Sequence, residues 1–328
     1  MNVLVSGACG YIGSHAVRCL LNAGHRPIAL DNLSRGHRAS VPAGVEFLPL
    51  DVRDTDALVV AMKENAVECV MHFAAYAAVG ESVTQPLVYY DNNTRGTMSM
   101  LQAVDRAKIR RFVFSSTCAT YGEPDKVPID EETAQRPINP YGWSKLFSER
   151  MLFDYAAANE DFSFAALRYF NVAGCSVDGS VGEDHRPETH LIPVILQARL
   201  GIREKITIFG EDYPTPDGTC IRDYVHVEDL VEAHVHVAQS LKPGQQLTYN
   251  LGIGRGYSVK EILQAAREVI GDFRVDKGPR RAGDPPMLYA DASKIARELG
   301  WSAKRTDIRA MIESAWNWIR KHPNGYAD

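Results

Sequence analysis

Tyr141 and Lys145 stand four residues apart in the run Tyr141-Gly142-Trp143-Ser144-Lys145. On a helix that spacing puts both side chains on one face. A free phenol titrates near about 10, too high for a base at neutral pH, and a nearby ammonium stabilises the phenolate. The pair can therefore act as a general base. YxxxK by itself is common on solvated helix faces, so it needs company. Ser115-Ser116-Thr117 provides hydroxyls that could bond a substrate oxygen and relay its proton, although such a run can equally form only a local turn. A third group is Gly7-Ala8-Cys9-Gly10-Tyr11-Ile12-Gly13, with glycines spaced as GxxGxxG. Glycines let a backbone turn tightly and approach a pyrophosphate, and a helix opening there presents free N–H groups and a positive dipole end.

These groups are useful only if the fold gathers them at one edge. Apolar runs predict strands over residues 2–6, 26–30, 45–50, 68–74, 111–116 and 162–169. Helical periodicity lies between them, over 14–23, 54–64, 91–107 and 141–158. That alternation predicts βαβ units and a parallel sheet covered on both faces. Right-handed crossovers make the sheet doubly wound. Ligands bind such sheets at the carboxyl ends of the strands, where the glycine run and Ser115–Thr117 both fall.

After residue 171 the pattern changes to loops and shorter elements. Helices are expected over 191–200, 228–239, 258–270, 293–299 and 307–322, with an extended stretch over 206–209. The expected organisation is a Rossmann-type doubly wound α/β domain over 1–171. A smaller mixed α/β substrate-binding domain follows over 172–328, partly interleaved with the first. Residues 323–328 are expected to fray.

The 328 residues carry 36 Lys+Arg against 41 Asp+Glu, a net charge of −5, which argues against a nucleic-acid surface. No apolar run is long enough to span a bilayer, and the first residues lack the pattern of a secretory signal, so a cytoplasmic protein is expected. The six cysteines form no CxxC pair, and the ten histidines form no HExxH motif. Reduced thiols and no metal are expected.

The glycine run follows a strand, opens a helix and precedes an acidic strand end at Asp31, the context of a dinucleotide site. Asp31 can accept hydrogen bonds from an adenosine ribose and would repel a 2′-phosphate, so NAD is expected rather than NADP. Asp51 ends the next strand, and Phe73-Ala74-Ala75 ends the fourth.

With the glycine run, the strand-end hydroxyls and the Tyr–Lys helix together, the chain resembles the UDP-sugar 4-epimerases of the extended short-chain dehydrogenase/reductase superfamily. Nearly the whole chain takes part. The first half matches in residues 7–13, Val79-Gly80-Glu81-Ser82, Tyr89-Tyr90-Asp91-Asn92-Asn93, residues 115–122 and 139–145, and Arg168-Tyr169-Phe170-Asn171. The second half matches in Asp217-Gly218-Thr219, Arg222-Asp223-Tyr224, Tyr249-Asn250-Leu251-Gly252, residues 280–284 and Ala290-Asp291-Ala292-Ser293-Lys294.

The resemblance implies a retained NAD and a homodimer built on the long helices 91–107 and 141–158. Tyr141 would take the proton of the sugar 4-hydroxyl while hydride passes from C4 to the nicotinamide. The 4-keto sugar would then turn over and take the hydride back on its other face. Lys145 would lower the tyrosine pKa and bond the nicotinamide ribose, and Thr117 would bridge the 4-oxygen and Tyr141. For the cofactor the resemblance implies Gly7, Gly10, Tyr11, Ile12 and Gly13, then Asp31, Asn32, Asp51 and Val52. Phe73, Ala74, Ala75, Asn92, Ser115, Tyr169 and Phe170 complete that set with Tyr141 and Lys145. For the UDP-sugar it implies Arg222 and Arg281 on the diphosphate, with Tyr224 and Asp284 nearby. Asn171 and Leu191 would contact the nucleotide, and Thr207 and Phe209 the uracil.

Four positions depart from the usual pattern or set specificity within it. Ala77 stands where a cofactor-holding lysine is common, Thr117 replaces a serine, and His190 replaces a pocket asparagine. Leu288 occupies the site whose size separates plain from N-acetylated sugars, so its bulk implies plain sugars. UDP-glucose and UDP-galactose are the expected pair. The SSTCATYG version of residues 115–122 also fits UDP-xylose/UDP-arabinose 4-epimerases. A sugar-nucleotide dehydratase would need an Asp-Glu pair where Cys118-Ala119 follows Thr117. A non-catalytic NAD-binding protein would have no need of Tyr141 and Lys145.

Overall fold

A computed structural model describes residues 1–281 and 284–327. Ala282 and Gly283 of the matched run 280–284, and Asp328 of the tail, lie outside the described residues. The strands are β1 (Asn2–Ser6), β2 (Arg26–Leu30), β3 (Glu46–Leu48), β4 (Cys69–His72), β5 (Arg111–Thr117), β6 (Ser163–Tyr169), β7 (Asn171–Ala173), β8 (Ile206–Phe209), β9 (Ile221–His226), β10 (Gln246–Leu251), β11 (Gly256–Ser258), β12 (Val275–Gly278) and β13 (Met287–Leu288).

Seven of these form one parallel sheet in the order β10-β6-β5-β4-β1-β2-β3. The order reverses between β1 and β4, which opens a crevice at the carboxyl ends of the strands. Side-chain alternation divides the sheet between two cores. Val3, Val5, Ala29, Met71, Val113 and Leu167 face one side, against Val17 and Leu20 of helix Tyr11–Asn22 and Leu230 and Val237 of helix Val227–Ser240. Leu4, Ile28, Val70, Phe112 and Phe164 face the other, against helices Thr55–Glu64, Gly96–Ala107 and Pro140–Ala158. Leu4 and Phe112 are completely buried, each stabilising the fold by about 1.5–3 kcal/mol relative to exposure.

The chain leaves this sheet at Tyr169 and enters the second layer at Asn171, where β7 pairs with β9. β9 also pairs with β11 and β13, and β8 pairs with β12. A separate core joins Ile192, Ile206, Tyr224, Ile262, Met311 and Trp318. Residues 227–251 cross back: their helix covers one face of the seven-stranded sheet, and β10 extends it beside β6.

Two sequence expectations change. The helix expected over 91–107 starts earlier, at Pro86, and passes through a π-helical stretch at Tyr90–Arg95 before Gly96–Ala107. The described part of the tail, up to residue 327, is held rather than frayed, because Tyr326 has partners. Its ring lies 5.2 Å from both His37 and Trp318, its N–H donates to Asp184 at 3.0 Å, and its hydroxyl accepts from the Gly182 N–H at 3.0 Å.

Candidate active site

Gly7 follows β1 with φ +71°, and a Cβ there would meet the Ala74 nitrogen at 2.7 Å. A Cβ on Gly13 would meet the Gly7 carbonyl oxygen at 2.0 Å. Both are therefore glycines of close approach. Gly10 differs: a Cβ there would meet only the Gly7 oxygen, at 3.4 Å. That side of the loop is open, and Gly10 N-caps helix Tyr11–Asn22 with no side-chain cap on its amides. Open glycine backbone at a helix start fits a pyrophosphate.

Asp31, at the end of β2, accepts from the backbone N–H groups of Cys9 at 2.9 Å and Leu33 at 2.8 Å. Burial nonetheless raises its pKa. Each oxygen keeps lone-pair capacity for a ribose hydroxyl. Asn32 donates to Asp51 at 2.9 Å, and the Arg53 guanidinium holds Asp51 well below the ordinary carboxylate range. Val52 is buried under Gly96. Tyr11 donates to the Gly174 carbonyl, beside Ile12 in the first turn of that helix. Phe73 packs 4.9 Å from His234, Ala74 and Ala75 follow it along the crevice edge, and Ala77 is exposed.

Asn92 lies buried in the π-helical stretch, a distortion frequent at functional sites. Its neighbour Asn93, which sequence reasoning did not single out, accepts from the Tyr76 N–H at 2.8 Å and donates to the Tyr76 carbonyl and to Ser144 at 3.0 Å. It ties the loop after β4 to the helix that carries Tyr141.

That helix, Pro140–Ala158, is capped by Asn139, whose side chain accepts from the Gly142 N–H at 2.8 Å. Gly142 lets the helix start press on the turn after β5, since a Cβ there would meet the Ala119 oxygen at 2.5 Å. This close approach places the Tyr141 phenol against the Thr117 hydroxyl, with which it hydrogen-bonds. Thr117 also accepts from the Ala119 N–H at 3.1 Å. One turn on, Lys145 Nζ donates to the Ser115 carbonyl at 2.7 Å. The Ser115 hydroxyl bonds the Tyr169 phenol. Ser116 points to the opposite face, where it donates to Glu149, the buried partner of Arg168.

The electrostatics correct one expectation. Burial pushes the Tyr141 phenol well up, the Thr117 hydrogen bond opposes this weakly, and Lys145 is not among the main influences. Burial also pushes Lys145 down to about 7, partly offset by Glu149. In the protein alone, Lys145 spends its charge on a carbonyl rather than on the phenol.

The second layer supplies the opposite wall. Asn171 pairs with Tyr224 in register, and their side chains hydrogen-bond; burial raises Tyr224 to about 12. Arg222 forms an ion pair with Asp284 and donates to the Ile221 carbonyl at 2.8 Å. The Arg222 charge also acts on Cys118, the residue after Thr117, whose thiol burial raises to about 12. Arg281 stacks 4.0 Å over the Phe209 ring. Phe209 and Thr207 share the open face of β8, opposite buried Ile206 and Ile208. Arg281 and Asp284 line a cavity of about 490 Å³ with Tyr213, Arg280 and Glu123. Leu288 pairs with Arg222 in register, and its side chain packs with Phe170 and Tyr121. The expected cofactor and sugar sides thus meet at Phe170–Leu288 and at Thr117–Cys118.

Leu191 opens helix Leu191–Arg199. His190, just before it, turns instead to Glu183, His185 and Glu188, a four-residue cluster that the search for CxxC and HExxH spacings passed over.

Residues 3–252 match the NAD dependent epimerase/dehydratase family. A UDP-glucose 4-epimerase of Lactobacillus helveticus is 48% identical over 100% of both chains. A probable UDP-arabinose 4-epimerase of Arabidopsis thaliana is 45% identical over 99% of this chain and 82% of its own. The crystal structure of UDP-glucose 4-epimerase from Bifidobacterium longum in complex with NAD+ and UDP superposes with a TM-score of 0.95 at 39% identity, covering 99% of this chain and 100% of the other.

Proposed function

The chain belongs to the NAD dependent epimerase/dehydratase family, and from that premise we propose that it interconverts UDP-glucose and UDP-galactose at the sugar C4, with NAD in the crevice over Gly7, Gly10 and Gly13. The meeting of Thr117, Tyr141 and Lys145 at the end of β5, made possible by Gly142, carries the reading. NAD, when bound, supplies the reversible hydride acceptor.

The chain's own residues do the rest. Tyr141 Oη takes the proton of the 4-hydroxyl, and Thr117 Oγ1 holds the same oxygen. Lys145 fixes its cation beside them and is placed to bond the nicotinamide ribose. Arg222 and Arg281 grip the diphosphate through guanidinium forks. Anchoring at the nucleotide leaves the sugar free to present either face of the 4-keto carbon, which epimerisation requires. Tyr141 then returns its proton to the other epimer. Elimination of water would need a titratable pair after Thr117, and the half-buried Cys118, its thiol pushed up to about 12, beside Ala119 offers none.

The plant relative supports a second reading, UDP-xylose/UDP-arabinose epimerisation by the same residues. A homodimer is part of the proposal: Leu87, Met98, Trp143 and Phe147 are exposed on the long helices. Light scattering that gave a monomer would remove it.

The deciding experiment incubates purified protein with UDP-galactose and, separately, UDP-xylose, without added NAD, and identifies products by chromatography. UDP-glucose from UDP-galactose is the expected result. Conversion of UDP-xylose alone moves the substrate to pentoses. No conversion of either, with or without added NAD, overturns the epimerase reading.

A further inference from the structure

Between Gly182 and the helix that begins at Leu191, four side chains converge on one point. His185 Nδ1 lies 3.1 Å from Glu183 Oε1 and 3.5 Å from Glu188 Oε2. His190 Nδ1 lies 3.0 Å from Glu183 Oε1 and 2.9 Å from Glu188 Oε1. One ligand atom from each residue falls within 4.8 Å of all the others. We propose that Glu183, His185, Glu188 and His190 bind one divalent transition-metal ion, with zinc the fitting occupant. The proposal is independent of the reaction assigned above.

Geometry is the first support. Zinc bonds of about 2.0–2.1 Å in a tetrahedron put neighbouring ligand atoms about 3.3 Å apart. The four histidine–carboxylate separations, 2.9–3.5 Å, lie near that length, and one ligand atom from each residue falls within 4.8 Å of the rest. Two imidazoles and two carboxylates form a donor set suited to zinc rather than to calcium or magnesium, which take oxygen alone.

The hydrogen bonding is the second. Glu188 Oε1 accepts from the backbone N–H groups of Thr189 and His190, both at 2.7 Å, which orients the carboxylate with Oε2 toward His185 Nδ1. His185 Nδ1 is enclosed and makes no well-aligned hydrogen bond, although carboxylate oxygens lie close by. An enclosed ring nitrogen aimed at carboxylates without a proper hydrogen bond is what a metal ligand looks like before its metal arrives.

Charge is the third. The Glu183 and Glu188 side chains are only 7% and 3% exposed, and two buried carboxylates need two positive charges. A divalent ion supplies them.

The position gives the ion a task. The ring of Tyr11, in the first turn after the glycine loop, stands edge-on to His185 at 6.3 Å. His190 immediately precedes Leu191. A metal here ties the dinucleotide loop to the start of the helix that faces the nucleotide.

The test uses full-length, tag-free protein stripped with a chelator and titrated calorimetrically with Zn²⁺ alone. The expected result is one ion per chain and a raised thermal midpoint. His185→Gln and His190→Gln, both at partly exposed side chains, should keep the fold by circular dichroism and weaken zinc binding by at least about tenfold. Absence of saturable zinc binding overturns the site. So does binding that persists in the double variant, since it places the ion elsewhere.

Discussion

Lys145 Nζ donates to the backbone carbonyl of Ser115 at 2.7 Å, two residues before Thr117 on the same strand. The ammonium is thereby held at the strand end rather than on the Tyr141 phenol. Burial of that cation costs stability, and the cost depends on pH. The folded pKa is lowered to about 7, below the ordinary 10.5. Between those values the unfolded chain binds the proton and the folded chain does not, so this group's contribution to stability rises with pH across the window. Below about pH 7 the penalty is present in full. In cofactor-free protein, wild type should gain on Lys145→Met by up to about 1.4 kcal/mol per pH unit from pH 7 to 10. Urea unfolding of both proteins at several pH values checks this; a pH-independent difference would show that Lys145 keeps an ordinary pKa.

Tyr141→Phe separates chemistry from packing. The ring is buried and packs edge-on to Tyr89 at 6.5 Å, and the phenylalanine keeps that contact. Only the hydroxyl and its bond to Thr117 are lost, so stability should change by no more than about 1 kcal/mol. Turnover should fall by about 10²–10⁴. Activity on UDP-galactose and thermal unfolding measured together decide it; retained turnover would assign the base elsewhere.

The glycines of the loop should behave differently from one another. A Cβ on Gly13 collides with the Gly7 backbone, whereas one on Gly10 reaches only open space and a single contact at 3.4 Å. Gly13→Ala should lower stability and NAD binding together. Gly10→Ala should leave the unfolding midpoint of the cofactor-free protein unchanged while weakening NAD at least about tenfold, because the methyl occupies the space a pyrophosphate needs. Equal NAD affinity in Gly10→Ala and wild type would move the cofactor off this loop.

The first six strands were legible in the sequence because their buried runs are bounded by glycines and acidic strand ends. The glycine loop, Thr117 and the Tyr141–Lys145 helix were legible because they sit at the ends of those elements. β10 was not read: Gln246–Leu251 alternates polar and apolar residues, and only its pairing with β6 shows that it belongs to the large sheet. The protonation of Tyr141 was also out of reach. Spacing brings a lysine to one helix face, but burial and the Ser115 carbonyl decide where its charge acts. The Glu183–His190 cluster escaped because its spacing belongs to a loop, where no helical or strand period predicts convergence. Tyr326 escaped similarly, since its partners His37, Gly182 and Asp184 are remote or in a loop.

Leu288 joins specificity to stability. Its side chain lies in a small buried cluster with Tyr121, Ile129 and Phe170, and its strand pairs with β9 at Arg222. It therefore fills space between the expected cofactor side and the residues proposed to hold the diphosphate. With the sugar placed beside Leu288 as the resemblance implies, this bulk would exclude an N-acetyl group, so wild type should turn over UDP-N-acetylglucosamine far more slowly than UDP-glucose. Leu288→Ala should narrow that ratio by raising kcat/KM for the acetylated sugar. The same change opens a cavity against Phe170 and Tyr121 and should cost about 2–5 kcal/mol of stability. Leu288→Val, which removes less volume, should fall between on both measures. Steady-state kinetics on the two sugars, run beside thermal unfolding of the three proteins, test the link. Equal rates on both sugars in wild type would end the size argument. A loss of stability with no change in the ratio would leave Leu288 as core packing alone.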